Sequence, residues 1–150
     1  MKNAITKPLS KLILTGIEPK EIIYAEVTPQ GAMGNSGGII IYIPESGTDQ
    51  LICYEVNITY DQETYLLAED ILFKHLDKQN SGNANKNLYF DIYDGRMGNI
   101  VFINKKVKLE VKENYFIYRS EQSQFQLFSS VQGVFMGVAS EIQKRKNDTQ

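Results

Sequence analysis

The chain has little cysteine, histidine or tryptophan: one Cys, one His and no Trp among 150 residues. Cys53 alone cannot form an intramolecular disulfide or a zinc site built from several thiolates. His75 alone would have to serve any Cys/His or Ser/His/Asp mechanism, and no nucleophile motif surrounds a serine. These absences favour a protein that is not an enzyme and needs no metal or cofactor, although a hydrolase built from two distant carboxylates stays open.

Long hydrophobic runs are also absent. No apolar stretch approaches the roughly 18 residues that span a bilayer, and the first residues lack an apolar segment followed by a small-residue cleavage site. We therefore expect a cytoplasmic protein that does not contact a membrane. Hydrophobic residues make up 42% and charged residues 23% of the sequence, which is typical of a folded globular chain. The length predicts a single domain over residues 1–150.

Charge is distributed unevenly along the sequence, although the net charge is only −2. Residues 1–80 carry 6 basic and 11 acidic side chains, whereas residues 81–120 carry 7 basic and 4 acidic side chains. The small net charge argues against bulk attraction to nucleic acid. The asymmetry is compatible with one basic face in the second half, and equally with a solvated surface that has no partner.

A short pattern occurs twice. Gly31–Asn35 and Gly95–Asn99 both match Gly-x-Met-Gly-Asn, 64 residues apart, and each lies between two β-rich runs. Matching flanks as well as a matching core predict an internal duplication. The alternative is two unrelated glycine turns.

The first half predicts four strands and one helix. Asp61 stands at an N-cap position, and the apolar residues that follow it recur at helical spacing. Residues 78–87 are rich in Asn, Ser and Gly and predict a flexible linker. Four short segments rich in β-branched residues predict the strands, which are Leu12–Thr15, Ile22–Thr28, Ile39–Ile43 and Leu51–Tyr60.

The second half predicts the same order. Ser123–Gln126 matches a capping box, so a long helix is expected to begin there. Four β-rich segments precede it, at Leu88–Tyr93, Ile100–Ile103, Val107–Val111 and Tyr115–Tyr118.

The predicted fold class is therefore α+β, with duplicated β-β-β-β-α units. Each unit is an antiparallel sheet followed by a helix, and the two units are expected to pack about a pseudo-twofold axis, because one such unit buries too little surface alone. The first repeat covers about 9–79 and the second about 88–146, with the linker at about 78–87.

Residues 88–103, with the sequence LYFDIYDGRMGNIVFI, resemble the strand, glycine turn and strand of PUR repeats. The duplicated order of four strands and a helix is similar to that of the plant Whirly proteins. Both resemblances imply binding of single-stranded DNA or RNA.

Binding of a single strand requires cations for phosphates and aromatic faces for bases. Alternation along Leu88–Tyr93 predicts that Tyr89, Asp91 and Tyr93 point outward, away from a core face that includes Phe90. Lysines that only solvate a sheet face, beside tyrosines half-buried across strands, are the alternative. The predicted nucleic-acid-binding residues are the exposed cations and aromatics of the second half: Tyr89, Tyr93, Arg96, Lys106, Lys108, Lys112, Tyr115 and Arg119.

A second hypothesis is a protein-binding module, such as an inhibitor or a bacterial immunity protein that neutralises a basic toxin or nuclease. The acidic first half and the absence of catalytic motifs support it. An exposed sheet edge would also allow a homodimer. The residues expected to contact a basic partner are Glu18, Glu21, Glu26, Glu45, Asp49 and Glu55.

Overall fold

The computed structural model describes residues 2–29, 31, 37–74, 88–95 and 98–148. These residues form an α+β fold with two mostly antiparallel sheets, and its helices follow strands, as predicted. A short 3₁₀ helix covers Pro19–Glu21. The helices are α1 (Lys11–Thr15), α2 (Gln62–Phe73) and α3 (Gln132–Asp148). The strands are β1 (Lys2–Asn3), β2 (Ile5–Pro8), β3 (Tyr24–Thr28), β4 (Gly38–Pro44), β5 (Leu51–Asn57), β6 (Phe90–Asp94), β7 (Ile100–Asn104), β8 (Leu109–Val111), β9 (Phe116–Arg119) and β10 (Gln124–Leu127).

The strands are divided between a six-stranded and a four-stranded sheet. The six-stranded sheet has the order β2-β5-β4-β3-β7-β6, and the four-stranded sheet has the order β1-β10-β9-β8. Two pairings are parallel, β2 with β5 and β1 with β10. Only Ala4 separates β1 from β2, so the N-terminal segment lies at an edge of both sheets.

Both faces of the six-stranded sheet are covered. One face packs on α1 and α2 through side chains that include Leu14, Tyr65 and Leu72. The other face packs on the four-stranded sheet and α3, where Phe116 and Val134 are fully buried. Successive side chains of a central strand therefore enter two different cores, which explains why β4 is apolar almost throughout.

Helix α2 begins where the sequence predicts. The Asp61 side chain accepts hydrogen bonds from the Thr64 N–H at 3.0 Å and from the Thr64 hydroxyl at 2.6 Å. These donors lower the pKa of the Asp61 carboxyl. Tyr65, Ala68 and Leu72 then place one apolar stripe against the sheet.

The prediction of a strand at Leu12–Thr15 is wrong, because these residues belong to α1. Ser10 caps this helix by accepting a hydrogen bond from the Ile13 N–H at 3.2 Å. Leu14 is its one buried residue. Because only one residue of this short helix is buried, the segment has too little hydrophobic periodicity to distinguish a helix from a strand.

The prediction that a helix begins at Ser123–Gln126 is also wrong. Residues from Gln124 onward form β10, which pairs antiparallel with β9, and α3 begins only at Gln132. The Ser123 carbonyl accepts a hydrogen bond from the Ser120 N–H at 2.9 Å, and so closes the β9–β10 turn. The serine therefore belongs to a turn, whose polar composition resembles that of a helix start.

The structure does not confirm the duplication. Strands β6 and β7 of the predicted second repeat lie in the same sheet as β3, β4 and β5, and β7 pairs directly with β3. The two predicted repeats therefore do not form separate sheets. Several positions of the sequence analysis lie outside the described residues: His75, the linker at 78–87, residues 32–35 of the first glycine motif, and Arg96 with Met97 of the second.

Candidate functional site

The predicted outward orientation of Tyr93 is wrong. Its side chain is only 7% exposed and lies in the core beneath α3. The Arg145 guanidinium lies 4.0 Å from the centroid of the Tyr93 ring and donates a hydrogen bond to the Ile92 carbonyl at 3.4 Å. Burial raises the pKa of Tyr93, and the nearby Arg145 opposes this shift. Strand alternation places Tyr93 opposite Phe90, but it cannot reveal that both faces of the sheet are covered.

The other predicted aromatics are also partly enclosed. Tyr89 is half-buried and packs against the core formed with α1 and α2. Tyr115 is half-buried and its ring centroid lies 5.6 Å from that of Phe128. Each ring is therefore less accessible than a fully exposed stacking platform for bases.

Three of the side chains predicted to bind phosphates line the same groove. Lys106, Lys108 and Arg119 line one groove of about 910 Å³ together with Lys146, and we call this surface the basic groove. Tyr118 lies in its wall, with its ring 22° from parallel to that of the buried Phe125.

Carboxylates offset part of this positive charge. Arg119 donates two hydrogen bonds to Glu110, at 2.8 Å and 3.0 Å, and Lys112 lies 3.8 Å from the same carboxylate. Hydrogen bonding from Arg119 lowers the pKa of Glu110, so this carboxylate stays charged. Asp49 and Glu121 also line the groove. Its cations are therefore gathered in one place but partly neutralised.

The predicted acidic contact residues are mostly dispersed. Glu18 lies 3.2 Å from Lys20 and donates its backbone N–H to Glu21 in the 3₁₀ helix. Glu45 accepts a hydrogen bond from the Thr48 hydroxyl. Asp49 forms an ion pair with Lys2 at 2.8 Å and accepts a hydrogen bond from Ser123.

Glu26 is not a surface residue, contrary to the expectation for a partner contact. It is 1% exposed, and the Tyr24 hydroxyl donates to one of its oxygens. Its other oxygen accepts hydrogen bonds from the Ser130 N–H at 3.0 Å and the Ser130 hydroxyl at 2.6 Å. The carboxylate therefore anchors β3 to the segment that precedes α3.

Glu26 and Glu55 nevertheless meet at one cleft, which we call the acidic cleft. Lobe 1, of about 640 Å³, is lined by both glutamates and by Tyr60 and Asp61. Lobe 2, of about 370 Å³, adjoins it because both lobes share three residues, Ile40, Glu55 and Ser130. Lobe 2 is also lined by Ala4, Tyr42, Cys53 and Phe128.

Strand register builds this cleft. Glu26 of β3 pairs with Ile40 of β4, and Ile40 pairs with Glu55 of β5. Directly paired residues lie on the same face of a sheet, so the two glutamates flank Ile40 in one row. Two strand spacings separate them, or about 9.6 Å. Asn57 lies two residues further along β5 and therefore on the same face.

The charge of the acidic cleft is of one sign. Among the described residues, the lining of both lobes includes three carboxylates and no Lys, Arg or His. Tyr60, on the rim of lobe 1, is 89% exposed, and Phe128, on the rim of lobe 2, is 42% exposed. Exposed aromatic rings next to carboxylates, with no cationic side chain in the described lining, are suited to a cationic ligand.

The lining of lobe 2 includes a hydrogen-bonded tyrosine and an unreactive thiol. The Tyr42 hydroxyl accepts a hydrogen bond from the Phe128 N–H at 3.1 Å and donates to the Phe128 carbonyl at 3.3 Å. Burial raises the pKa of the neighbouring Cys53 thiol to about 11. The thiol is therefore protonated at neutral pH and is a poor nucleophile.

Sequence reasoning missed Tyr60 as a site residue because it extended the strand from Leu51 to Tyr60. The strand ends at Asn57, whose side chain accepts a hydrogen bond from the Thr59 N–H at 2.8 Å. An Asn followed two residues later by Thr, just before the Asp61 cap, is a turn signal that was available in the sequence.

No family model matches the chain, and comparisons with curated proteins and with solved structures gave no significant similarity. The resemblance to PUR repeats and Whirly proteins therefore stays a prediction. None of the helices in the described residues is long and apolar enough to cross a membrane. The described part of the chain also contains no group of three or more His, Cys, Asp or Glu side chains placed to hold a metal ion.

Proposed function

We propose that this chain is a non-enzymatic binding module that recognises a basic protein partner through the acidic cleft. The observation that carries the proposal is the composition of the cleft: a concave surface with three carboxylates, an exposed tyrosine and no cation in its described lining. An inhibitor or immunity protein that covers a basic toxin or nuclease would use such a surface.

The carboxylates of lobe 1 differ in their roles. Glu26 is saturated by hydrogen bonds within the fold, so it supplies negative potential rather than a direct contact. Glu55 is exposed on β5 and is available to a ligand. Asp61 keeps its charge because donors from Thr64 lower its pKa, and this residue also lines the lobe.

Tyr60 supplies the short-range contact. Arginine and lysine side chains stack on exposed tyrosine rings, with about 0.5–1 kcal/mol at an exposed site and more when the pair is desolvated. Tyrosine is also enriched among the residues that dominate protein interfaces. Asp61, the following residue, also lines lobe 1, so its negative charge adds to the attraction of a cation to this lobe.

Fluorescence anisotropy with labelled nona-arginine tests this proposal at low and physiological salt. We expect binding that weakens with salt, weakens about 3- to 10-fold in Glu55→Gln, and weakens further in Tyr60→Ala. Asp70→Asn is the matched control, because Asp70 is an exposed acid of α2 outside the cleft. Equal losses in Asp70→Asn and Glu55→Gln would indicate bulk attraction and contradict the proposal.

Single-stranded nucleic acid is the second candidate, and its site is the basic groove. The observation in its favour is that Lys106, Lys108 and Arg119 line one groove with Tyr118 in its wall. Titration with labelled oligo-dT and RNA tests it: salt-sensitive binding that falls in the Lys106→Ala/Lys108→Ala double variant supports this candidate. No affinity for either oligomer would exclude it.

A further inference from the structure

The two lobes of the acidic cleft lie along one strand. Cys53 and Glu55 of β5 line lobe 2, whereas Glu55 and Asn57 of the same strand line lobe 1. A strand advances about 3.3 Å per residue, so Cys53 and Asn57 are about 13 Å apart. An extended segment that runs beside β5 from Cys53 to Asn57 therefore spans four residues and places its first and fifth side chains against different lobes.

The lobes differ in chemistry. Lobe 1 combines Glu55, Asp61 and the exposed Tyr60 ring. Lobe 2 shares Glu55 but is otherwise lined by neutral side chains, and one of them, Phe128, is 42% exposed. A cation fits lobe 1 by charge complementarity, and an apolar side chain fits against Phe128.

The adjacent sheet edge is poorly suited to strand addition. The Leu9 N–H donates to the Glu55 carbonyl at 2.8 Å, so Leu9 faces β5. Backbone groups of alternate residues in a parallel strand point to opposite neighbours, which turns Pro8 outward. Proline has no N–H to donate, and a proline on an edge strand discourages further pairing. Recognition at this edge therefore favours contacts through side chains over addition of a strand.

Building on the proposed function, we infer that the basic partner enters the acidic cleft as an extended segment, with an arginine or lysine in lobe 1 and an apolar side chain four residues away in lobe 2. The partner therefore presents a loop or terminal tail, rather than a flat folded surface. The segment runs along β5 and crosses the row Glu26–Ile40–Glu55 at Glu55, and its side chains, not its backbone, determine specificity.

Nuclear magnetic resonance titration with two nine-residue peptides of equal composition tests this inference. In the first peptide, three serines separate an arginine from a leucine, and in the second the two residues are adjacent. We expect the first peptide to bind at least about fivefold more tightly, with amide shifts at Glu55 and Tyr60. In a third peptide the leucine precedes the arginine, again with three serines between them. Tighter binding of either separated peptide than of the adjacent peptide supports the inference.

Two variants test which lobe binds the arginine of the peptide and which binds the leucine. Tyr60→Ala is expected to weaken all peptides, whereas Phe128→Ala is expected to remove the preference for the separated arrangement. Both side chains are exposed, and the amide spectrum of each variant reports directly whether it is folded. Equal binding of the separated and adjacent peptides overturns the inference. If nona-arginine still binds in a Glu55-dependent manner while the peptides show no preference, the proposed function stands and only the inference fails. If neither nona-arginine nor the peptides bind, the proposed function and the inference are both refuted.

Discussion

Replacement of Glu26 is the sharpest test of how the fold holds the acidic cleft. The carboxylate is 1% exposed and accepts three hydrogen bonds, one from Tyr24 and two from Ser130. In Glu26→Ala the fully buried Tyr24 hydroxyl loses this acceptor, and the Ser130 N–H loses its partner before α3. Hydrogen bonds to a charged group contribute about 1.5–3 kcal/mol each, and unsatisfied donors add a similar cost.

We therefore expect Glu26→Ala to lower the free energy of unfolding by about 3–5 kcal/mol, because the losses are only partly additive. Glu26→Gln keeps one carbonyl oxygen for Ser130, and the Tyr24 hydroxyl can rotate to accept from the new amide, so its expected cost is about 1–2 kcal/mol. Glu55→Gln is the matched control in the same row, and an exposed site should change stability by less than about 0.5 kcal/mol.

Urea unfolding followed by circular dichroism measures these differences. With an m-value of about 2 kcal/mol/M, Glu26→Ala should shift the midpoint down by about 1.5–2.5 M. The reasoning is refuted if Glu26→Ala loses less than about 1 kcal/mol, or if Glu55→Gln loses as much as Glu26→Ala.

Three further predictions concern other parts of the fold. Gly95→Ala would place a Cβ 2.7 Å from Val134 Cγ1, so it should destabilise the chain by about 1–3 kcal/mol in the same urea assay, and an unchanged midpoint would show that α3 does not pack as closely as described. Asp61→Asn keeps an acceptor for the Thr64 N–H but loses the carboxylate. Because the folded pKa of Asp61 is lowered, its stabilisation is present above the unfolded pKa of about 3.9 and is lost as pH falls through the folded value. The stability gap between wild type and Asp61→Asn should therefore close in acid, and a gap independent of pH would contradict this. Finally, the Cys53 thiol, with a pKa of about 11, should react with Ellman's reagent only after unfolding, and rapid reaction of the native protein at pH 8 would show that it is accessible.

Local signals in the sequence predict the elements that local interactions define. Asp61 and the apolar stripe that follows it predict α2, and the runs at Ile39–Ile43 and Ile100–Ile103 correspond to β4 and β7. Each of these segments carries its own cap or its own pattern, so one sequence is sufficient to recognise it.

The elements that were missed depend on distant partners. Strands β1 and β2 pair in parallel with β10 and β5, more than forty residues away, and Pro8 lowers the strand propensity of its own segment. The helix predicted at Ser123 is a strand because β9 provides a partner for it. Long-range pairing overrides local propensity in both cases.

The candidate site was only partly accessible from sequence for the same reason. The distribution of charge predicts an acidic first half, and the contact residues expected there include Glu26 and Glu55. Their position on either side of Ile40 follows from the register of three strands, which one sequence does not encode visibly. The burial of Tyr93 beneath Arg145 likewise depends on where α3 packs.

Chemical-shift mapping on one isotope-labelled sample tests the central claim most directly, because the two candidate sites lie on different residues. The sample is titrated separately with nona-arginine and with oligo-dT. We predict shifts at Glu55, Tyr60 and Asp61 on addition of nona-arginine, and none at these amides with oligo-dT. Shifts confined to Lys106, Lys108 and their neighbours, produced by oligo-dT alone, would contradict recognition of a basic partner at the acidic cleft.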